Sequence, residues 1–437
     1  MYKFSIFIIQ LLVLIIALTF IFTNPFIISL DIGSLKYSFS SNLFSVIFIS
    51  LIFILYLAFY LFFRSRLLLS KYLLKNKYKK IKKGYLYFVD AMIAIANKDN
   101  KTAIKSHKKM FSYLKDDPSL SLLLKSEVLK IEKKFPELNN VYEDMIKSKK
   151  TETLGYRGLM EQNLKNHDYH HAFLYGEKLF SLNPNIEKLY ETLVFIAAKT
   201  KNWNQLISLT DKAFSNKIIN KNVLNENKSI GHYEIAKIKF DNDPKDALKN
   251  ILKAIELKRD FSPYIKLHLE IYTTINDKRG LIKLIRKYWN SNSTSLLRSI
   301  ITKILIQNNL IETKFINDLV KNNLTSEESK KLLVYFAIKN LNWDLAREKI
   351  SGMIGANPSR EICYFMSDIE LGENNDKQKS DAWIIRAENA SMEDTWICRI
   401  TNQTQDEWST LSNSGNYNSL VWTTHKMLRQ NNNKYET

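Results

Sequence analysis

Residues 165–190 read KNHDYHHAFLYGEKLFSLNPNIEKLY, and residues 339–364 read KNLNWDLAREKISGMIGANPSREICY. Counted from the aromatic residue, Tyr169 or Trp343, an alanine follows at +3 (Ala172, Ala346), a proline at +15 (Pro184, Pro358) and a tyrosine at +21 (Tyr190, Tyr364). A further copy of the opening, Lys199-Thr-Lys-Asn-Trp203, lies 34 residues after the first, and Tyr156 stands 34 before Tyr190. Self-similarity at such a period marks a chain of stacked repeats. The residue types supply the reason. A small side chain lets two helices approach, a ring fills the space between adjacent hairpins, and proline cannot extend a helix. From about residue 85 to 390, apolar residues recur at three- and four-residue spacing, which predicts helix after helix. Weaker copies place Ala103, Ala247, Ile282 and Ala382 in the small-residue position, which predicts about eight hairpins. The stretch 215–231 (SNKIINKNVLNENKSIG) fits the phase poorly and predicts a longer loop.

These positions resemble the tetratricopeptide repeat, a helix–turn–helix unit, and the resemblance implies an α-solenoid in which Trp203 and Trp343 are wedges between hairpins. Composition agrees. The 437 residues include only 11 Gly and 7 Pro, about a third of average usage, which disfavours sandwiches, barrels and doubly wound sheets. Two cysteines, Cys363 and Cys398, exclude a disulfide framework and a four-cysteine metal site.

The N-terminal end has a different character. Residues 4–23 and 43–63 are uncharged runs of 20 and 21 residues, each long enough to span the roughly 30 Å core of a bilayer. Between them come the helix stop Asn24-Pro25 and only Asp31 and Lys36 as charges. Arg64, Arg66, Lys71, Lys75, Lys77, Lys79, Lys80, Lys82 and Lys83 then follow without an acid among them. Positive flanks stay cytoplasmic, so the expected topology is a transmembrane hairpin with both ends inside. The division expected is 1–63 membrane hairpin, 64–84 basic juxtamembrane segment, 85–390 repeats and 391–437 tail. The formal net charge of +20 concentrates between Arg64 and Lys115, where 15 Lys/Arg face Asp90 and Asp99. A basic stretch emerging at a membrane face suits anionic lipid, at about 1 kcal/mol per charge, or a topology signal; nucleic acid is not the expected partner.

The tail, WICRITNQTQDEWSTLSNSGNYNSLVW at 396–422, completes an order of parts that resembles the HemY N-terminal family of inner-membrane proteins linked to haem biosynthesis. Members of that family open with two spans, a short loop, a basic stretch and degenerate repeats. Several end in a tail of Trp-x-Cys-x-x-Cys and Trp-x-x-Cys-x-x-Cys-Gly-x-Phe-Asp-Thr-Leu-x-Trp. Here Trp396, Cys398, Trp408, Gly415, Tyr417, Asn418, Ser419, Leu420 and Trp422 match or replace that frame conservatively. Its four thiolate positions hold Cys398, Thr401, Leu411 and Ser414. One cysteine cannot hold structural zinc, and His425 lies outside the pattern. The resemblance implies a bacterial inner-membrane, multi-pass protein whose solenoid faces the cytoplasm and organises enzymes of late haem (protoporphyrin) synthesis. A general envelope-protein assembly or quality-control adaptor shares the architecture.

No catalytic constellation is present in the sequence. A porphyrin-pathway enzyme would need a Gly-x-Gly-x-x-Gly fingerprint after a strand, and there is none. His167, His170 and His171 read as solvated residues at a repeat turn, not haem ligands. Cys363 reads as a small core residue, and Glu143-Asp144 and Glu327-Glu328 as surface ion-pair partners. The expectation is a protein-binding scaffold without cofactor or metal.

Overall fold

The computed structural model describes residues 26–33, 35–114, 118–391 and 393–424, and, nearer the start, Ile9, Leu12, Val13, Ile15, Ile16, Thr19, Phe20, Phe22, Thr23 and Asn24. The chain divides into two units, Met1–Leu138 and Asn139–Thr437. The first expected span, 4–23, falls largely outside the described residues; the nine described within it are helical.

In the first unit, β1 (Ile27–Ile32) and β2 (Leu35–Ser40) pair antiparallel, with Asp31 opposite Lys36. The loop expected between the spans is thus a β-ribbon, turned at Gly33 with φ +65°, a conformation glycine adopts without steric cost. Helix α1 follows, Ser41–Ala96, 56 residues without a break, about 84 Å long. The boundaries expected at residues 63 and 84 both fall inside it. It is the only helix among the described residues long and apolar enough to cross a membrane. Its last turns carry Ala91 against Met110 of α2 (Asn100–Tyr113), Leu114 just after that helix, and Leu124 of α3 (Pro118–Glu132).

The chain enters the second unit through α4 (Phe135–Ile146), and seven hairpins follow. Their first helices are α5 (Glu152–Lys165), α7 (Leu189–Lys199), α9 (Lys221–Lys239), α11 (Ser262–Thr274), α13 (Ser295–Gln307), α15 (Glu327–Lys339) and α17 (Arg360–Asn374). Their second helices are α6 (Tyr169–Leu182), α8 (Trp203–Ser215), α10 (Pro244–Leu257), α12 (Lys278–Ser291), α14 (Thr313–Val320), α16 (Trp343–Ser351) and α18 (Lys377–Glu388). Tyr169, Trp203 and Trp343 are each the first residue of a second helix. What sets that start is the residue before it. Asp168, Asp243, Asp277, Asn342 and Asp376 each accept the backbone N–H three positions on, satisfying one of the helix's orphan donors.

Those caps correct two of the weaker repeat phases. Because Asp277 and Asp376 start their helices at Lys278 and Lys377, the buried residues at +3 are Leu281 and Ser380. Ile282 is only half-buried and Ala382 is exposed. The longer loop expected at 215–231 is also corrected. Asn220 caps α9 by accepting from Val223, and the extra residues lengthen the helix to 19. Ala103, Ala172, Ala247 and Ala346 are fully buried, as is Cys363. Trp203 is buried, while Trp343 is half-buried and lies across α17, where a Cβ on Gly372 would collide with its ring.

The all-α expectation fails at the tail. Residues 395–423 form a three-stranded antiparallel sheet, ordered β4 (Thr404–Gln405), β3 (Thr395–Cys398), β5 (Leu420–Thr423). Trp396 sits opposite both Gln405 and Trp422. Thr, Trp, Ile and Val in these strands fit a pleated, half-buried surface, which helical periodicity cannot reveal.

One buried histidine gives the fold a pH dependence. His268 on α11 is 3% exposed, with Nδ1 2.7 Å from the Tyr288 hydroxyl. Burial, with Lys287 adding to it, lowers its pKa to about 4. The folded chain thus holds the ring neutral while the unfolded chain takes up a proton below pH ~6.5. Stability is fully present above that pH and falls between pH ~6.5 and 4, by about 3 kcal/mol for this group. Urea titrations at pH 7 and 4.5 should show this loss, and His268→Gln should flatten that part of the profile. An unchanged profile would place the acid sensitivity elsewhere.

Candidate functional site

The first helices of consecutive hairpins pack side by side: α11 on α13, α13 on α15, α15 on α17. Their common face is where a repeat protein of this kind would hold a partner, and here the middle of it carries the tail. Trp396, Cys398, Trp408 and Leu420 share one core with Ile230, Tyr233, Tyr264 and Ile271 of α9 and α11. Trp408, 7% exposed, meets Tyr233, Phe261 and Tyr264 edge to face at ring distances of 5.4, 5.2 and 6.1 Å.

Polar groups complete the seat. The Tyr417 hydroxyl donates to Asn227 Oδ1 at 2.9 Å; Asn227 Nδ2 donates to the Tyr190 hydroxyl at 2.8 Å, which donates to Thr210 at 3.2 Å. Burial raises the pKa of both Tyr417 and Tyr190, so each keeps the proton it donates. Thr410 donates to Glu234, Lys266 to Glu407 at 2.8 Å, and the Glu361 backbone N–H at the start of α17 to Glu393 at 3.1 Å. Every helix in this list except α8 is a first helix.

Beside the tail, between β3, β5 and helices α9, α11 and α13, lies a cavity of about 480 Å³. Trp396, Trp408 and Trp422 wall one side, and Leu296, Ile300 and Ile304 line the other. Lys237, Lys266 and Lys303, one from each helix, stand around it with Glu270, Asp406 and Glu407. Lys266 is 2.8 Å from Glu407 and 3.9 Å from Glu270. Burial raises the Glu270 pKa against the pull of Lys266, while Lys266 lowers that of Glu407.

At the positions that the resemblance sets against thiolates, hydroxyls gather around Cys398. Thr401 and Ser414 hydroxyls are 3.2 Å apart, Ser414 Oγ is 3.8 Å from Cys398 Sγ, and Ser419 Oγ is 3.3 Å from that sulfur. Burial pushes the Cys398 thiol up, but hydrogen bonds with Ser419 and Thr401 and with the Thr401 and Ile400 backbone outweigh it, bringing the pKa down to about 5. Leu411, at the remaining position, packs against the core formed by α5, α6, α7 and α8. Cys398, Thr401 and Ser414 thus lie together, and Leu411 packs elsewhere. Among the described residues no three His, Cys, Asp or Glu side chains are placed to hold a metal, and His425 lies outside them. A chelator is expected to leave the melting temperature unchanged; one zinc per purified chain by elemental analysis would contradict this.

The other sequence-derived positions disperse. Tyr156 and Tyr169 are half-buried against the core that holds Tyr190. Tyr190 is 4% exposed, but its register counterpart Tyr364 is 46% exposed; Tyr190 is the second residue of α7, whereas Tyr364 is the fifth of α17. Pro184 is half-buried and Pro358 buried, each in the link to the next first helix. His170 and His171 are exposed, and His171 Nδ1 is 2.7 Å from the cap Asp168. Arg64, Arg66, Lys71, Lys75, Lys77, Lys79, Lys80, Lys82 and Lys83 all lie on α1. Asn227, Glu234, Lys266 and Ser295 were not legible as site residues, since each is one polar residue on a helix whose partner lies more than 120 positions away.

No family model matches the chain, and no curated protein does. Among solved structures it is similar to a tetratricopeptide repeat protein from Parabacteroides merdae, at 12% identity over 57% of this chain and 93% of that one, with a TM-score of 0.28. It is also similar to yeast Tom70, at 16% identity over 72% of this chain and 77% of that one, with a TM-score of 0.30. In the structure of Naa15/Naa10 bound to HypK the identity is 13% and the TM-score 0.41, and this chain covers 70% of its own length but half of that chain. At these scores the fold assignment rests on the hairpins themselves: capped second helices, buried small residues at +3 and first helices packed side by side.

Proposed function

We propose that this protein is a membrane-anchored, tetratricopeptide-like scaffold of the bacterial inner membrane, its repeats on the cytoplasmic side. The observation that carries the reading is α1, in which an apolar span, nine basic residues and the first repeat helix form one element. An anchor so built keeps bound partners close to the membrane and raises their effective concentration for one another. The resemblance to the HemY N-terminal family names enzymes of late haem synthesis as those partners. Helix α1 runs without a break from the apolar span through the basic residues Arg64 to Lys83, where anionic lipid would attract them.

Two experiments test this. A reporter fused after residue 90 should stay cytoplasmic, and one inserted near Gly33 should appear outside; the opposite pattern would overturn the hairpin topology. Affinity purification from mildly solubilised membranes, read for haem-pathway enzymes, tests the partners. Recovery of diverse envelope proteins without those enzymes would favour the assembly adaptor.

A further inference from the structure

A second cavity, of about 600 Å³, lies beside the end of the tail, between α13, α15 and the start of α17. Four carboxylates line it, against Arg298, Lys303 and Lys331. Two of the four are engaged: Arg298 pairs with Glu328 and Glu361, and Lys331 stands beside both. Lys303 sits in the field of Glu270 and Glu407 of the neighbouring cavity. Glu393 and Asp394 are left, and neither forms an ion pair among the described residues.

Two hydroxyls are left as well. Ser359 is the N-cap of α17, a position whose side chain ordinarily accepts the backbone N–H two or three residues on. Here Glu393 accepts that bond, from the Glu361 N–H at 3.1 Å, and Ser359 Oγ has no partner among the described residues. Thr302 on α13 is 8% exposed, and its Oγ1 is also without a partner among them, which costs stability unless something meets the hydroxyl. Both residues line the cavity, with Phe365 and Trp422 as aromatic walls. Two carboxylates without a cation and two hydroxyls without a partner suit a ligand rich in donors. A guanidinium offers five N–H groups in a planar fork and no acceptor, and it stacks on aromatic faces.

We propose that this cavity receives an arginine side chain of a partner protein, its guanidinium paired with Glu393 and Asp394 and donating to Thr302 and Ser359, its stem against Trp422 and Phe365. The proposal deepens the scaffold reading and rests on it. The chain's formal net charge of +20 opposes nonspecific capture of a cationic segment, so attraction at this place comes from the local carboxylates.

The test uses the full chain in nonionic detergent and a fluorescent peptide repeating Gly-Arg-Leu, followed by anisotropy. Saturable binding is expected. Citrulline in place of arginine, which keeps the shape and removes the charge, should lose about tenfold or more. Glu393→Gln with Asp394→Asn should lose as much; glutamine at 393 still accepts the Glu361 N–H, so the start of α17 stays capped. Thr302→Val should weaken binding about threefold or more while the melting temperature holds or rises, because the hydroxyl it removes has no partner in the fold. Equal binding of the citrulline peptide would overturn the proposal, and so would binding that ignores Glu393→Gln/Asp394→Asn. Spermidine binding as tightly as the peptide would make this a site for free organic cations instead. Binding that appears only when the chain is cut after Thr424, which removes Lys426 and Arg429, would give the cavity to the chain's own residues. Membrane purifications that return the same partners with and without Glu393→Gln/Asp394→Asn would leave the scaffold standing and this cavity without a role in it.

Discussion

Trp408→Ala is expected to destabilise the protein by about 3–5 kcal/mol, the usual cost of deleting a buried aromatic side chain. The loss should not stay in the tail. Trp408 is buried against rings of α9, α11 and the link before α11, so its removal opens a core that belongs to the hairpins as much as to the sheet. Hydrogen exchange should speed up together in β3, β5, α9 and α11, while α5 and α6 keep their protection. A simple solenoid would behave otherwise, since its stability is a sum of repeat and nearest-neighbour terms. Here bonds such as Tyr417 to Asn227 and Thr410 to Glu234 tie residues 190 and 176 positions apart, so the central hairpins and the tail form one cooperative unit. If exchange rose only in residues 395–423, the tail would be an appendage and the shared core would count for little.

The repeats were legible because their signals are local. Tyr169 with Ala172, and Trp343 with Ala346, lie within one helical turn, and both alanines are buried where the spacing puts them. The phase slipped at Ile282 and Ala382 because the aromatic residue is missing there, while the capping aspartate that fixes the start of the helix is present but looks like any surface acid. The tail was illegible for a different reason. Its strands pair Trp396 with Trp422 across 26 positions, and its packing partners lie far upstream. Two- or four-residue periodicity carries no information about either. The candidate face follows the same rule. Sequence gives the first helices that form it, but not the segment that covers its middle.

Arg298→Met is expected to cost about 3–5 kcal/mol, as breaking a buried ion pair from one side does. Arg298 on α13 is 7% exposed. Its Nε donates to Glu328 of α15 at 2.7 Å, and its Nη2 to Glu361 of α17 at 2.7 Å. One guanidinium thus holds carboxylates from the next two first helices, a fork that lysine's point charge cannot reproduce. Lys331 reaches the same two acids only at 3.6 and 3.7 Å, so methionine at 298 leaves both poorly compensated. The pairs as such need not stabilise the fold, because burying charge costs about as much as the attraction returns. The triple variant Arg298→Met/Glu328→Gln/Glu361→Gln should therefore recover most of the loss in denaturant titrations. What it should not recover is register. With the fork gone, the spacing of α13, α15 and α17 depends on apolar contacts alone, and exchange protection at the start of α17, where Glu361 also donates its backbone N–H to Glu393 of the tail, should remain below that of the parent. A single variant costing under about 1 kcal/mol would put this cluster with ordinary surface pairs, and full recovery of protection at α17 in the triple variant would deny it the positioning role.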